Sequence, residues 1–591
     1  MKNPSRAPFL DGIRDLYNIG RNVVLLTGDT EGPFWDEHQK SFLSLERMLH
    51  SHMRNLKRED GEEPTPFAVV RFDGGRGAGF LDDESREYAE RIYSHDPAEK
   101  PDADLAKAAL DRAVKLTANM PLAGLQLLNQ IFQRQQVFEK HDKGKALPFC
   151  AILQYSDALF PAGEFGHMSD LQWQRIVEFL NWITSPCVEG TENLVILIAD
   201  TKGEVNQNIF QCLNTGHVEI QGPDEAMRLD VIDRFCEQHK GTQTTGVRFE
   251  GGREGRKLIA RESSGLTTAH LFDILRVSHR TRTVIKPSDV RAKVNEVMQT
   301  KLGDFAVTKR PSHGPDDVID YAGDNAIFAE IFENCEDTGT APSAVIISGP
   351  NGVGKTFKLE AFAGASGRLF IELPTIRSSF YGGTDKIFDQ FKWYLKNFGQ
   401  VAIGVDEAHT AIGSVHKADQ HETERRLGGN ILKMMSDEDF RGRVIWLLMT
   451  SRPDELDPDI ISRSPEQIAI FDPTPEQRPG FVEKLFALKK VSLGDHLAEV
   501  VERTQNYSAR DYADLIRKVK SRQRKDTGIS VPEVLSVWKA SNAITDQRRF
   551  QTLVGAKFCA YPHLIPPDIR KLMDDGSLDN DIGRLRLKLR Y

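Results

Sequence analysis

Gly349-Pro-Asn-Gly-Val-Gly354-Lys355-Thr356 follows the apolar run Ala344–Ser348 and leads into a helix predicted over Thr356–Ala365. The order is strand, glycine loop, helix, and the loop fits GxxxxGK[ST]. Each residue type has a physical reason to be there. Glycines let successive backbone N–H groups curl round a phosphate without Cβ clashes. Lys355 is a flexible point charge for β- and γ-phosphates, and Thr356 offers a hydroxyl to Mg²⁺. Gly349, Pro350, Asn351, Gly352, Val353, Gly354, Lys355 and Thr356 are therefore the expected nucleotide cradle, with ATP and Mg²⁺ as cofactors.

Further along, Val401-Ala-Ile-Gly-Val-Asp406-Glu407-Ala-His409 carries an apolar run into two acids. Asp406 is expected to bind Mg²⁺, directly or through water. Glu407 is expected to polarise the attacking water as general base. Two acids at a strand end are equally well a surface turn when met alone. The P-loop ahead of them favours the catalytic reading.

Other short apolar runs surround this pair: Asn22–Thr27, Phe67–Phe72, Phe149–Gln154, Asn193–Ala199, Arg368–Leu373 and Val444–Thr450. Runs of this length, alternating with helical stretches, predict parallel sheets covered on both faces, an α/β fold. They fall into two sets, one between about residues 20 and 200, the other between about 340 and 450. Each set is followed by a helix-rich stretch.

Composition narrows the class. A net charge of −9 speaks against a general coat for nucleic acid. The six cysteines are scattered without a CxxC pair, which argues against zinc fingers and disulfide frameworks and suits a reducing compartment. The N-terminal MKNPSRAPFLDGIRD lacks an apolar signal core, and no apolar run approaches the ~20 residues of a membrane span. A cytoplasmic location is expected.

The segment Thr450-Ser-Arg-Pro-Asp-Glu-Leu-Asp-Pro-Asp-Ile-Ile461, with the strand order around it, resembles the AAA clade of AAA+ ATPases over roughly residues 315–525. The resemblance makes Asp406 and Glu407 the Walker B pair. It places Ser451 at sensor 1, where the family usually has asparagine. It makes Arg463 the arginine finger offered to a neighbouring subunit. Tyr507-Ser508-Ala509-Arg510-Asp511 resembles the family's lid signature, with Arg510 where many relatives carry a sensor 2 arginine. Ser379-Phe380-Tyr381-Gly382-Gly383-Thr384 resembles a pore loop, with Phe380 and Tyr381 gripping an extended chain. Glu407, Arg463 and Ser451 are then the catalytic set. Thr356 and Asp406 are the metal ligands, and Arg510 joins the nucleotide-binding residues.

The first set of strands resembles a decayed copy of the same module. Gly28-Asp-Thr-Glu-Gly32-Pro33 stands where a P-loop would, without GK[ST] and with acids that repel phosphate. Tyr155-Ser156-Asp157-Ala158 stands at the place of the paired acids, and Ser264–His270 resembles a lid opening. The expected organisation is a degenerate module with lid (1–285), a connector (286–340), an active large subdomain (341–475), a helical lid (476–540) and a C-terminal extension (541–591).

The function implied is ATP-driven remodelling of a protein or protein complex by a ring, a hexamer in the resembling family. The alternative is a slow, nucleotide-gated assembly scaffold that threads nothing. Other signals admit two readings each. Arg71–Arg76 and Arg248–Arg253, RFDGGR and RFEGGR, read as strand ends entering glycine turns or as phosphate-binding nests. Arg517–Lys525 reads as the solvated end of a lid helix or a nucleic-acid contact. Gly583–Tyr591 alternates basic and apolar residues, which predicts an edge strand, with an anionic partner as the sharper reading. The string Asp406–His409 also spells a helicase box, but no later helicase segments accompany it. His409, His416 and His421 share no helical face that would hold a metal.

Overall fold

The computed structural model describes residues 8–55, 66–93, 103–141, 146–163, 166, 168–239, 246–309, 313–335, 337, 339–373, 384–412, 422–524, 528–540 and 544–590. The chain forms two compact units. The first comprises Met1–Val297 with Asp385–Asn397, the second Met298–Thr384 with Phe398–Tyr591.

In the first unit, strands β1 (Val23–Gly28), β2 (Ala68–Asp73), β3 (Gly77–Phe80), β4 (Phe149–Leu153), β5 (Leu194–Ile198) and β6 (Thr215–Ile220) make one sheet, ordered β3-β2-β4-β5-β1-β6. All pairs are parallel except the β2–β3 hairpin. Alternation along β1 divides its side chains between two cores. Val23 and Leu25 pack with Phe132, Phe149 and Trp182 on one face, and Val24 and Leu26 with Phe9, Leu10 and Met48 on the other. A strand covered on both faces must be apolar throughout, which is why β1, β4 and β5 are legible in the sequence. Helices Glu225–Gln238, Gly252–Glu262 and Thr268–Thr281 follow, two of them capped by Asp224 and Thr267.

The second unit repeats the plan. Strands β7 (Val307–Lys309), β8 (Ala344–Ser348), β9 (Leu369–Leu373), β10 (Val401–Val405), β11 (Val444–Thr450) and β12 (Glu466–Ala469) are ordered β7-β9-β10-β11-β8-β12. Only the edge strand β7 is antiparallel to its neighbour. Without the antiparallel edge strands, the two sheets have the same order of five parallel strands. In each, the first parallel strand lies between the last two, so β8 is flanked by β11 and β12. That switch in chain direction opens a crevice beyond the carboxyl end of β8, where α/β sheets bind ligands.

Helices Arg478–Leu488, Leu497–Arg503, Ala509–Gln523 and Val531–Val537 form a separate helical subdomain around Phe481, Phe486, Tyr512, Leu515 and Val534. The basic run 517–524 sits at the end of its third helix with Arg517, Lys518, Lys520 and Arg522 exposed.

The stretch 286–340, expected as a connector with some helix of its own, carries folded elements. Helix Pro287–Leu302 opens it, β7 joins the second sheet, and helix Asp324–Asn334 buries Ile327, Phe328, Ile331 and Phe332 in that sheet's core. The tail is a helix, Leu578–Leu589, not an edge strand. Leu578, Ile582 and Leu585 recur at helical spacing and are buried, which outweighs the local period of two; Leu587, the odd member, is exposed. Strands β3, β6, β7 and β12 escaped the sequence reading. All four are edge strands of their sheets and only partly buried, so no long apolar run marks them. Both glycine-rich echoes are strand ends entering turns: Asp73 accepts from the amides of Gly75 and Arg76, and Gly251 caps helix Gly252–Glu262.

Candidate functional site

The loop after β8 is shaped by its glycines. Gly349 has φ +138° and lies so near the Ile470 carbonyl that a Cβ would sit 2.2 Å from that oxygen. Gly352, at φ +86°, would place a Cβ 2.9 Å from Ser508 Oγ. Side chains are excluded at both positions by backbone conformation and by space. Gly354 then caps helix Lys355–Ala365, so the helix N-terminus and its free amides face the crevice.

Lys355 Nζ donates to the carbonyls of Gly349 (2.8 Å) and Pro350 (3.3 Å). Burial pushes its ammonium down to about 8, opposed by the charges of Glu407 and Asp406 and assisted by Arg510. A half-buried cation at the centre of a curled loop, beside a helix N-terminus, fits a polyphosphate anion.

The acids stand at the end of β10. Asp406 is exposed, and its Oδ1 accepts from the Glu407 amide at 2.9 Å. Glu407 adopts a left-handed conformation, φ 45° and ψ 48°, that turns the chain into helix Ala408–Ala411. Non-glycine residues in this region carry strain, and it turns the carboxylate towards β11. There Ser451 Oγ donates to Glu407 Oε2 at 3.2 Å. His409 Nδ1 lies 3.4 Å from the same oxygen and 2.9 Å from Thr450 Oγ1. Thr450 Oγ1 also accepts from the Arg452 amide at 2.9 Å. Thr450 and Ser451 are buried, so this group is held by the sheet rather than by mobile side chains. Burial keeps the His409 imidazole below its ordinary value, against the pull of Glu407.

Ser451 and Glu407, assigned on different segments, are thus in contact. Arg510 is brought to the P-loop: its amide donates to the Gly352 carbonyl at 3.0 Å. Ser508 caps the lid helix through a reciprocal bond with Asp511. Arg463 stands apart. It is exposed just after helix Pro458–Ser462, and its guanidinium reaches the Ser436 hydroxyl rather than the loop. Phe380 and Tyr381 lie outside the described residues, as do His416 and His421.

Sequence reasoning missed His409 as a partner of Glu407, and it missed Arg548 and Gln551, which bond to the backbone of Asn351 in the P-loop. His409 carried a signal, its place two residues beyond Glu407. Arg548 and Gln551 carried none, because they come from the far end of the chain.

The corresponding points in the first unit show what has been lost. Gly28 has φ +95°, with a Cβ position 2.3 Å from the Ile220 carbonyl, the counterpart of Gly349 against Ile470. The lysine is gone, and Asp29 follows, buried. Its Oδ2 accepts from the Thr268 amide (3.1 Å) and hydroxyl (3.3 Å) at the start of a lid helix. Burial lifts the Asp29 carboxyl to about 6. After β4, Gln154 and Tyr155 occupy the places of Asp406 and Glu407. Tyr155 keeps the left-handed turn, φ 54° and ψ 47°, without the acid. The first unit has the backbone of a nucleotide site and none of its charged groups.

Comparison with known proteins agrees with this division. Residues 3–221 match the AAA+ chaperone N-terminal Rossmann-like domain. Residues 345–471 match the ATPase family associated with various cellular activities, AAA. An outer mitochondrial transmembrane helix translocase of Xenopus tropicalis is 27% identical over 34% of this chain and 58% of its own length. Protein SAV of Sulfolobus acidocaldarius is 30% identical over 30% of this chain and 23% of its own. A katanin p60 ATPase-containing protein of Rattus norvegicus is 26% identical over 33% and 42%. The chain spans between about a quarter and three fifths of the length of these relatives. An AAA ATPase domain behind an AAA+-chaperone-type Rossmann-like domain makes this chain an AAA+ ATPase.

Proposed function

We propose that this ATPase remodels a protein or protein complex, working as a ring of identical chains, a hexamer as in the family it resembles. The observation that carries the reading is the base, Glu407, held by Ser451 beside an intact P-loop. Such a site is built for turnover and not only for binding. Thr356 and Asp406 are the residues that would hold Mg²⁺, which when bound neutralises charge on the β- and γ-phosphates. The names of the relatives, a helix translocase and a katanin ATPase, support mechanical work on proteins. Phe380 and Tyr381 are the residues proposed to grip a threaded chain. The cytoplasm is the proposed compartment, in keeping with six scattered cysteines.

The second reading is a slow, nucleotide-gated scaffold. Ser451 favours it, since one short hydroxyl engaged with Glu407 has little reach towards a γ-phosphate. ATPase rate against protein concentration, with particle mass followed by light scattering, separates the two. A remodeller should show a rate per chain that rises as rings form and rises again with an unfolded protein substrate. A rate independent of concentration, and unmoved by any protein substrate, would sink the ring remodeller.

A further inference from the structure

Helix Thr545–Lys557 lies outside both matched regions, yet it holds the P-loop. The Asn351 amide donates to Gln551 Oε1 at 3.0 Å, and Arg548 Nε donates to the Asn351 carbonyl at 3.2 Å. Both backbone polar groups of one loop residue are therefore tied to one face of one helix, because positions three apart are neighbours there. Gln551 is 1% exposed, so its bond does not compete with water. One turn further on, Gly555 brings the helix backbone against the loop's start. A Cβ there would lie 3.4 Å from Ser348 Oγ and 3.6 Å from the Gly349 nitrogen. The helix is itself fixed by Phe550, Leu553 and Val554 in the core of the second sheet.

Arg548 reaches further. Its Nη2 pairs with Asp472 Oδ2 at 2.5 Å, and its Nη1 donates to the Asn506 carbonyl at 3.5 Å. Asp472 stands where the chain leaves β12 for the lid, and Asn506 stands two residues before the lid-helix cap Ser508. One planar guanidinium thus joins the P-loop, the passage to the lid and the lid itself. A rigid fork suits this task better than a point charge.

We propose that Arg548 and Gln551 are positioning residues of the nucleotide site. They hold Asn351 so that the amides of Gly352–Thr356 converge before nucleotide arrives, and they couple lid position to loop shape. A loop released from them must be ordered at the moment of binding, which lowers affinity without touching the reacting groups. The proposal rests on nucleotide binding at this loop.

The test compares the full chain with Gln551→Met, which keeps length and removes the acceptor, and with Arg548→Lys, which keeps charge and removes the fork. ADP with Mg²⁺ is titrated by calorimetry, and ATPase rates are taken at saturating ATP. Each variant should weaken ADP binding by roughly tenfold, while the saturated rate stays within about threefold of the unaltered chain. A merely structural role would lower melting temperature without this split. Amide hydrogen exchange adds a measurement needing no variant: the Asn351 amide should be protected in the nucleotide-free protein. Exchange at an unprotected rate would overturn the proposal. An unaltered chain that binds ADP, beside variants that bind it equally well, would overturn this proposal alone. An unaltered chain that binds no ADP would overturn the nucleotide reading beneath it.

Discussion

Ser451 Oγ and Glu407 Oε2 are 3.2 Å apart, so the residue after β11 steadies the carboxylate after β10. β10 and β11 are paired in register, Val405 opposite Leu448, which fixes the two chain ends beside each other. The hydroxyl orients the carboxylate, which in the proposed mechanism takes the proton of the attacking water.

This contact sets a graded expectation. Ser451→Ala should lower the saturated ATPase rate by roughly tenfold, the worth of one charge-assisted hydrogen bond. Glu407→Gln removes the base itself and should cost roughly 10²–10⁴ in rate. Neither should weaken ADP binding much, since the phosphate cradle is untouched. Steady-state rates with calorimetric affinities check both. A Glu407→Gln protein that hydrolyses ATP like the unaltered chain would remove Glu407 from the mechanism.

His409 should give the rate its acid limb. Burial depresses the imidazole below its ordinary value of 6.5, Glu407, Glu455 and Asp454 oppose the shift, and Arg452 adds to it. The ring is therefore neutral at pH 7. As pH falls through the depressed value, an imidazolium forms 3.4 Å from Glu407 Oε2 and engages the base. The saturated rate should fall there, and His409→Asn should abolish that fall. Superimposable pH profiles for the two proteins would exclude this role.

The fold was legible where burial is two-sided. β1, β4, β5, β8, β10 and β11 are buried and, but for Thr27, Ser348 and Thr450 near their carboxyl ends, built from apolar residues and glycine. The P-loop was legible because phosphate binding restricts residue type at adjacent positions. The Ser451–Glu407 contact was not, since parallel pairing brings together residues far apart in sequence. The Arg548 and Gln551 contacts were beyond reach for the same reason, and they are made by side chains common on any helix surface. The tail misled because Gly583–Leu589 alternates locally, while the helical spacing begins earlier, at Leu578.

Asp29 should make the first unit's stability depend on pH. Its folded value, about 6, lies above the ordinary 3.8, with burial the main cause and the Thr268 bonds opposing it. A raised folded value gives a contribution that is complete below pH 3.8 and lost as pH rises through about 6. The charged form above that value costs on the order of 3 kcal/mol. An asparagine side chain at this position would keep an acceptor for Thr268 without the charge. Asp29→Asn should therefore raise the unfolding temperature of this unit by several degrees at about pH 8 and by nothing near pH 4. Thermal unfolding followed across that range checks it, and an equal shift at both pH values would mean that the carboxylate's charge is not the cause.

Arg463 should act on a neighbour's nucleotide. It is exposed, it follows a short helix beyond β11, and its guanidinium engages Ser436 rather than its own P-loop. Arg510 already faces that loop from the same chain, through its amide bond to Gly352 and its charge near Lys355. A cation that stabilises the phosphoryl group in transit matters more in the transition state than in bound ATP. Arg463→Ala should then cut turnover by roughly 10³-fold or more and leave ADP affinity nearly unchanged. Mixing it with Lys355→Ala protein is the sharper measurement. A mixed ring joins an intact P-loop on one chain to an intact Arg463 on the next, so part of the activity should return. Rings shown by light scattering to contain both chains, yet inactive, would remove Arg463 from the neighbour's site and leave Arg510 as the cation that meets the γ-phosphate.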